Sequence, residues 1–316
     1  MRAEPLFLIP VFQERVWGGT KLESEFHYDI PSSMTGECWA VSGHPNGQSI
    51  VRNGAFKGIE LGELYKQEPA LFGNHQSAVF PLLTKILDSN QDLSVQVHPN
   101  DDYACENENG ELGKTECWYV IDCEIDAEII FGHTAQTKEQ FIDMIRNGQW
   151  DQLLTRVKIK PGDFFYVPSG TIHALCTGAL ILETQQSSDT TYRLYDYDRL
   201  DQNGNKRELH LEKSMDVTTI PHQITNVQPK VETLSGATIT KFIEAEYFTV
   251  YKWDVHEKLA LTQDKDFLIA SVIDGEGILQ TSSNQYELKK GDHFILPSDL
   301  GEFSIQGNVT LISSHP

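Results

Sequence analysis

The stretch "SVQVHPND" runs from Ser94 to Asp101. Written as a strand, it alternates its side chains between two faces. Val95 and Val97 share one face; Ser94, Gln96 and His98 share the other. A uniformly polar face behind an apolar one either meets water or lines a site. The imidazole of His98 could ligate a metal there, although taken alone it reads as a satisfied core histidine. A second stretch, "GDFFYVPSGTIHALCTG", spaces Gly162, Pro168, Gly170 and His173 in a way that has a physical reading. Gly162 and Asp163 make the turn into a strand. Pro168 ends the strand where no ladder donor is needed. Gly170 permits a tight turn at positive φ, after which the chain re-enters with His173 pointing inward.

The spacing G-x5-P-x-G-x2-H matches the second sequence motif of the cupin family, whose members are double-sheet jelly rolls. A cupin's first motif supplies His and Glu ligands upstream. In stretched form these fall on His98 and on Glu116 of "GKTECWYVID". The resemblance implies that Gln96 and His98, at i and i+2, face the barrel interior and converge with Glu116 and His173. Two imidazoles and a carboxylate are a catalytic zinc set that leaves a position open for water or substrate. Gln96 would add a neutral oxygen. One Zn2+ per chain is the expected cofactor, favoured over iron or manganese, although geometry and availability decide that choice.

Positioning these side chains falls to a β-rich chain. "LSVQVHP", "CWYVIDC", "AEIIFG", "RVKIKPGDFFYVPSG", "ALILETQQ" and "TYRLYDYD" read as short strands between Gly, Asn and Asp turns, which predicts a sandwich or barrel. Helical patterns are fewer. Residues 137–154 begin with Thr137 and Gln140 at capping-box spacing and set Phe141, Met144 and Ile145 on one face; 58–73 and 209–217 are weaker candidates. An internal repeat relates "PGDFFYVPSG" (161–170) to "KGDHFILPSD" (290–299), with a "VID" segment upstream of each, Val120–Asp122 and Val272–Asp274. The offsets are 129 and 152 residues; the difference of 23 suits a helix inserted into the first copy. The second copy keeps Gly291, Asp292 and Pro297 but has no histidine equivalent to His173, and its His293 is displaced into the strand. The expected fold is therefore mainly β with inserted helices: two jelly-roll (cupin) β-barrels, the second degenerate. The expected division is a catalytic cupin unit over 1–235, with the helix near 137–154, and a metal-free cupin-like unit over 236–316.

Composition bounds the function. The chain has 316 residues, 39% apolar and 22% charged, ordinary for a globular protein. No apolar run approaches the roughly 18 residues of a membrane span. The amino terminus, "MRAEPLFLIPVFQER", lacks a signal peptide's long apolar stretch, so the cytoplasm is the expected compartment. Five cysteines, with no CxxC pair, read as reduced thiols. A formal net charge of −21 argues against nucleic acid and anionic membranes as partners, and nothing points to an obligate protein partner. An anionic substrate would need a local cluster of Lys and Arg.

"LSVQVHPND", "GKTE", "PSGTIHAL" and "YRLYDYDR" together closely resemble the class I mannose-6-phosphate isomerases in their short bacterial form. Further matches are "RVWGG" (15–19), "GECWAVSGHPNG" (36–47) and "LLTKILD" (82–88), so the likeness covers most of residues 10–216. The resemblance implies zinc ligands at Gln96, His98, Glu116 and His173, an active-site arginine at Arg193 and the motif lysine at Lys114. Many eukaryotic members carry Lys-Pro-Glu where this chain has Lys-Thr-Glu, and they have longer helical inserts. The substrate-covering region therefore does not transfer in detail.

The implied reaction interconverts mannose 6-phosphate and fructose 6-phosphate by moving a proton between C2 and C1. A Lewis acid on the sugar's oxygens stabilises the enediolate, and Arg193 stays charged beside the developing oxyanion. Lys114 is a candidate for phosphate binding or proton transfer. Lys85, Lys114, Arg193 and Arg199 could form the positive cluster a phosphate needs, and Ser94 could add a hydroxyl. The base stays open among a metal-bound water, Lys114 and Asp101. Glu37, Trp39 and Val41 share one face of an expected strand, where Glu37 either supports the site or forms a structural rim. His44 reads as a turn residue and Trp17 as core. Two other readings compete: a different metal-dependent cupin such as an iron dioxygenase, and a non-catalytic sugar-phosphate-binding cupin.

Overall fold

The computed structural model describes residues 4–200 and 204–316. The first residues of the expected catalytic unit, 1–3, lie outside that range. Strands dominate and fall into three sheets. A five-stranded sheet runs Tyr192–Tyr195, Val95–Val97, His173–Leu175, Glu128–His133, Leu154–Lys158. A six-stranded sheet runs Phe164–Val167, Glu116–Cys123, Ala179–Gln186, Leu82–Ser89, Thr35–Ser42, Val11–Gly19. The third, of ten strands, gathers the carboxy-terminal strands from Lys230 to His315 together with Leu6–Ile9 and Ile50–Val51. Among the described residues no sheet closes on itself into a barrel. No described helix is long and apolar enough to cross a membrane.

Period-two alternation stacks these sheets. Along Glu116–Cys123, Trp118 and Val120 face one way, into a core shared with Ile129 and Leu175 of the five-stranded sheet. Cys117 and Tyr119 face the other way, into a core shared with Phe242 and Phe267 of the ten-stranded sheet and with Phe248. The six-stranded sheet is thus the middle layer, buried on both faces, and apolar residues therefore run nearly unbroken through much of it. The outer face of the five-stranded sheet, carrying Val95 and Val97, is covered by Phe141, Met144 and Ile145 of the helix Lys138–Arg146. That leaves Gln96 and His98 on the face turned towards the middle layer.

The expected helix over 137–154 is two pieces. Thr137 caps Lys138–Arg146 by accepting from the Gln140 amide, as its spacing predicts. The chain then turns at Gly148, with φ +63°, into the short helix Trp150–Leu153, and a strand begins at Leu154. The segment 58–73 is likewise Leu61–Gln67 followed by a 3-10 turn, Pro69–Phe72, because Pro69 has no amide to continue the helix. The third candidate is the helix Leu211–Val217.

The repeat is visible in hydrogen bonds. In the first copy the Val120 amide donates to the Asp163 carbonyl at 2.9 Å and the Gly162 amide to the Val120 carbonyl at 2.8 Å. In the second, Val272 donates to Asp292 and Gly291 to Val272, both at 2.9 Å. The Asp163 and Asp292 carboxylates each accept from the amide three residues earlier at 3.0 Å. Gly162 and Gly291 both sit at φ +90°.

Candidate functional site

The two inner faces bring the donors together. Arg193, Gln96 and His173 lie side by side across three strands of the five-stranded sheet. His98 follows directly after the strand Val95–Val97. Glu116, at the start of its strand in the middle layer, faces them. Its Oε2 lies 3.5 Å from His98 Nε2 and its Oε1 lies 3.3 Å from His173 Nε2. The Gln96 amide is 3.3 Å from His173 Nε2. His98, Glu116 and His173 are at most 1% exposed, and their ligand atoms lie within 4.8 Å of one another.

Both imidazoles are fixed in one tautomer. His98 Nδ1 donates to the Thr190 carbonyl and His173 Nδ1 to the Thr171 carbonyl, each at 2.9 Å. Gly170, at φ +83°, makes the turn that carries Thr171 into place. Each Nε2 therefore holds a lone pair. Burial, joined by the charge on Lys114, pushes the His98 pKa well below its usual value; burial brings His173 down to about 4. Both rings are neutral at pH 7. His98 Nε2 and Glu116 Oε1 are buried with no hydrogen-bond partner in the protein, and Glu116 Oε2 has only the Lys114 ammonium beside it, at 3.2 Å. Orphaned acceptors of this kind are costly unless something positive joins them. Two neutral nitrogens and a carboxylate, with an amide beside them, fit a divalent cation of zinc type.

Beside this cluster lies a cavity of about 260 Å3. The middle layer lines it with a row of paired charges. Lys85 Nζ is 3.7 Å from Glu183 and 4.0 Å from Glu37, and it lies 4.9 Å from the centre of the Trp39 ring. The Trp39 indole donates to Glu37 at 2.6 Å and the Trp118 indole to Glu183 at 2.9 Å. Arg15 grips Glu37 through two bonds of 3.0 Å. Burial alone would raise the Glu37 pKa; the charges of Lys85 and Arg15 outweigh it and bring it to about 2. Glu183 goes the other way, raised by burial and by the negative charge of Glu116. Lys114 Nζ is 3.2 Å from Glu116; burial opposes its charge, but Glu116 and Glu183 hold its pKa above normal.

Lys85, Ser94, Gln96, Lys114 and Arg193 all line this cavity, with the metal-capable cluster at its edge. Glu37 lines it too, and so does Trp17, which also packs in the core. Val41 parts from Glu37 and Trp39 because a bulge shifts the register between Trp39 and Val41, turning Val41 to the other core. His44 is a turn residue, its Nδ1 accepting from the Asn46 amide at 3.2 Å. Asp101 is engaged elsewhere: it accepts from the Gly113 amide at 2.7 Å and from the Gln186 side chain at 3.0 Å. Arg199, expected in the positive cluster, does not line the cavity: the strand carrying Arg193 ends at Tyr195, and Tyr197 and Asp198 turn the chain back at φ 56° and 54°. Arg199 pairs with Asp196 instead. Glu183, Asp189 and Arg207 also line the cavity and carried no assignment from sequence. Glu183 left a signal, the one charged residue of the strand Ala179–Gln186, which is buried throughout; Arg207 left none.

Residues 6–121 match the catalytic domain of the type I phosphomannose isomerases, and residues 238–316 match the mannose-6-phosphate isomerase cupin domain. The chain is 57% identical over 315 residues to the mannose-6-phosphate isomerase ManA of Bacillus subtilis strain 168, covering 100% of both chains. It is 53% identical over 313 residues to the mannose-6-phosphate isomerase of Streptococcus mutans serotype c, covering 99% of this chain and 98% of that one. The crystal structure of the Bacillus subtilis mannose 6-phosphate isomerase superposes with a TM-score of 0.98 at 56% identity, covering 99% of this chain and 100% of that one. A mannose 6-phosphate isomerase solved with zinc bound gives 0.79 at 17% identity over 99% of each chain, a likeness of fold.

Proposed function

Since the chain belongs to the type I phosphomannose isomerase family and is an isomerase, we propose that it interconverts mannose 6-phosphate and fructose 6-phosphate at one zinc ion held by His98, Glu116, His173 and Gln96. The observation that carries the metal is the convergence of buried donors: His98 Nε2 and Glu116 Oε1 without a hydrogen-bond partner, with His173 Nε2 beside them and only Lys114 at the second Glu116 oxygen. A half-turn of the Gln96 amide presents its oxygen to the same point. The zinc-bound relative of the same fold lends further support. Zinc supplies a Lewis acid for the sugar's carbonyl and hydroxyl oxygens.

This chain's own residues do the rest. Arg193, beside Gln96 in the sheet, keeps its charge next to the oxygen that becomes negative as the C2 proton leaves. Lys114, held by Glu116, faces the cavity and serves the reacting end of the sugar. Lys85 and Ser94 bind substrate from the middle layer and from the first residue before the strand Val95–Val97. We assign the chemistry to residues 1–235 and read 236–316 as a metal-free cupin unit. The single three-residue metal-capable group among the described residues, which lies in the first part, supports that division.

Metal analysis combined with a coupled assay on mannose 6-phosphate tests this reading. The protein carries one zinc per chain, and His173→Ala loses metal and activity together. Full turnover in protein stripped of zinc would refute the metal's role, and a zinc-loaded protein that leaves mannose 6-phosphate unchanged would refute the substrate.

A further inference from the structure

Arg193 lies on the last strand of the five-stranded sheet, with a neighbouring strand on one side only. In an antiparallel strand the N–H and C=O of one residue point the same way. Those of Arg193 point away from Gln96, its partner in register, because both are engaged on the open side. There the Arg193 amide donates to His210 Nδ1 at 3.1 Å, and the His210 amide donates to the Arg193 carbonyl at 2.8 Å. His210 thus stands in for a missing strand, one residue wide. The ladder slips between Arg193 and Tyr195, so sheet pairing weakens immediately after Arg193. The same segment holds the far end of the side chain: Arg193 Nη1 donates to the Glu208 carbonyl at 2.8 Å.

His210 is itself fixed. Its carbonyl accepts from the Ser214 amide at 2.8 Å and opens the helix Leu211–Val217, whose Met215 and Val217 pack against the core that holds Val95 and Val97. A polar residue before a helix commonly caps it with its side chain. His210 makes no such bond and turns its ring to Arg193 instead. An accepting Nδ1 requires a neutral ring. Burial lowers the His210 pKa, and the charges of Arg193 and Lys213 add to that against the pull of Glu208 and Glu108. Both groups that clasp Arg193 are therefore neutral. Arg199 and Arg207 differ, because their guanidiniums are paired with Asp196. Arg193 has no carboxylate within ion-pair distance among the described residues, and its Nε is buried without a partner.

We infer that His210 is a positioning residue for Arg193: with the Glu208 carbonyl it fixes the guanidinium beside Gln96 through neutral groups, so that the whole charge faces the reacting oxygen. This rests on the isomerase reading above. A carboxylate at position 210 could accept the same backbone bond, but its charge would offset that of the guanidinium.

The test measures kcat, KM and metal content on zinc-loaded protein with mannose 6-phosphate. His210→Ala is expected to keep its zinc, change KM little and lose kcat by about 10-fold, within the roughly 100-fold that a misplaced group can cost. His210→Asn, whose side-chain oxygen accepts in place of Nδ1, recovers most of the turnover. His210→Asp restores the bond but adds a charge, and it falls with the alanine variant. In an Arg193→Ala background His210→Ala costs nothing further, because the two residues act through one group. Melting curves identify a variant that has lost its fold; if His210→Ala is one, the comparison of His210→Asn with His210→Asp carries the test. A folded His210→Ala protein with wild-type kcat overturns the proposal, as does a loss of equal size once Arg193 has been removed. A wild-type protein inactive on mannose 6-phosphate would sink the isomerase reading instead. Hydrogen exchange at the Arg193 amide would still decide the clasp. Exchange faster in His210→Ala than in wild type, and slow again in His210→Asn, supports it; equal rates in all three overturn it.

Discussion

Each residue at this site is defined by what its neighbours leave undone. Lys85 has two carboxylates to answer it, while Arg193 has none among the described residues and an unpartnered Nε. On the proposed reading that unspent charge faces the developing oxyanion. Arg193→Ala should therefore keep its zinc and lose turnover by about 100-fold, the scale for one missing electrostatic stabiliser; metal analysis beside kcat checks both halves. His293 offers a second test, away from the site. It is buried between the Tyr28 hydroxyl at 2.7 Å and the Ser271 hydroxyl at 2.9 Å, and burial brings its pKa down to about 3. An unfolded histidine takes up its proton near pH 6.5. Between those values the unfolded chain binds the extra proton, so stability falls as pH drops from about 6.5 towards 3. Urea titrations should show wild type losing up to about 1.4 kcal/mol per pH unit more than His293→Gln in that window. An identical pH dependence in both proteins would show that the ring is not held neutral. At this scale Gln96, His98 and His173 are legible in sequence, because strand alternation and fixed spacing set their direction. Arg207 is not. Its place depends on a turn at Tyr197 and Asp198 and on a carboxylate eleven residues upstream, neither of which leaves a periodic trace.

Among the elements, the repeated turn is the most legible. Gly162 with Asp163 and Gly291 with Asp292 make the same bonds to Val120 and Val272, so the likeness of two ten-residue strings reports one strand–turn–strand unit used twice. The extra length in the first copy falls in the split helix and its loops, between the strands Glu128–His133 and Leu154–Lys158, where the second copy turns directly from Phe267–Thr281 into Gln285–Lys289. Both glycines lie at φ +90°, where a Cβ is strained. Gly162→Ala meets open space and should lose about 1–2 kcal/mol, the cost of a left-handed residue. Gly291→Ala should lose more, because the added Cβ meets the Tyr28 ring at 3.1 Å. Denaturant midpoints order the two variants, and equal losses would mean the Tyr28 contact yields freely. What sequence missed at this scale has local causes. Gly148 breaks a helix whose apolar spacing runs on through it, and a bulge after Trp39 reverses the facing of Val41. Periodicity registers neither until the backbone is seen.

For the molecule as a whole, the proposed division near residue 235 cuts across the sheets. The strand Leu6–Ile9 lies at the far end of the chain from the strands it completes. It pairs Leu6 with Ile295 and Phe7 with Phe294, and its other edge takes Ile50 and Val51. Its side chains also join two cores: Leu6 and Leu8 pack with Phe267 and Ile295, and Phe7 packs with Phe294 on the opposite face. Sequence marks "LFLI" as apolar but not as a carboxy-terminal strand, because a pairing across nearly 290 residues is written in shape rather than in local pattern. Three buried apolar side chains at about 1.5–3 kcal/mol each approach the whole 5–15 kcal/mol that holds a domain together. Deleting residues 1–9 should therefore unfold the carboxy-terminal layer and expose the face on which the middle sheet rests. The middle sheet carries Glu116, so on the proposed reading zinc should be lost with it, although no metal donor has been removed. Residues 236–316 expressed alone lack the same strand and should bind a hydrophobic dye without a cooperative melt. If the truncated chain keeps its zinc and melts as one transition, the amino-terminal strand is only an edge and the two parts stand independently.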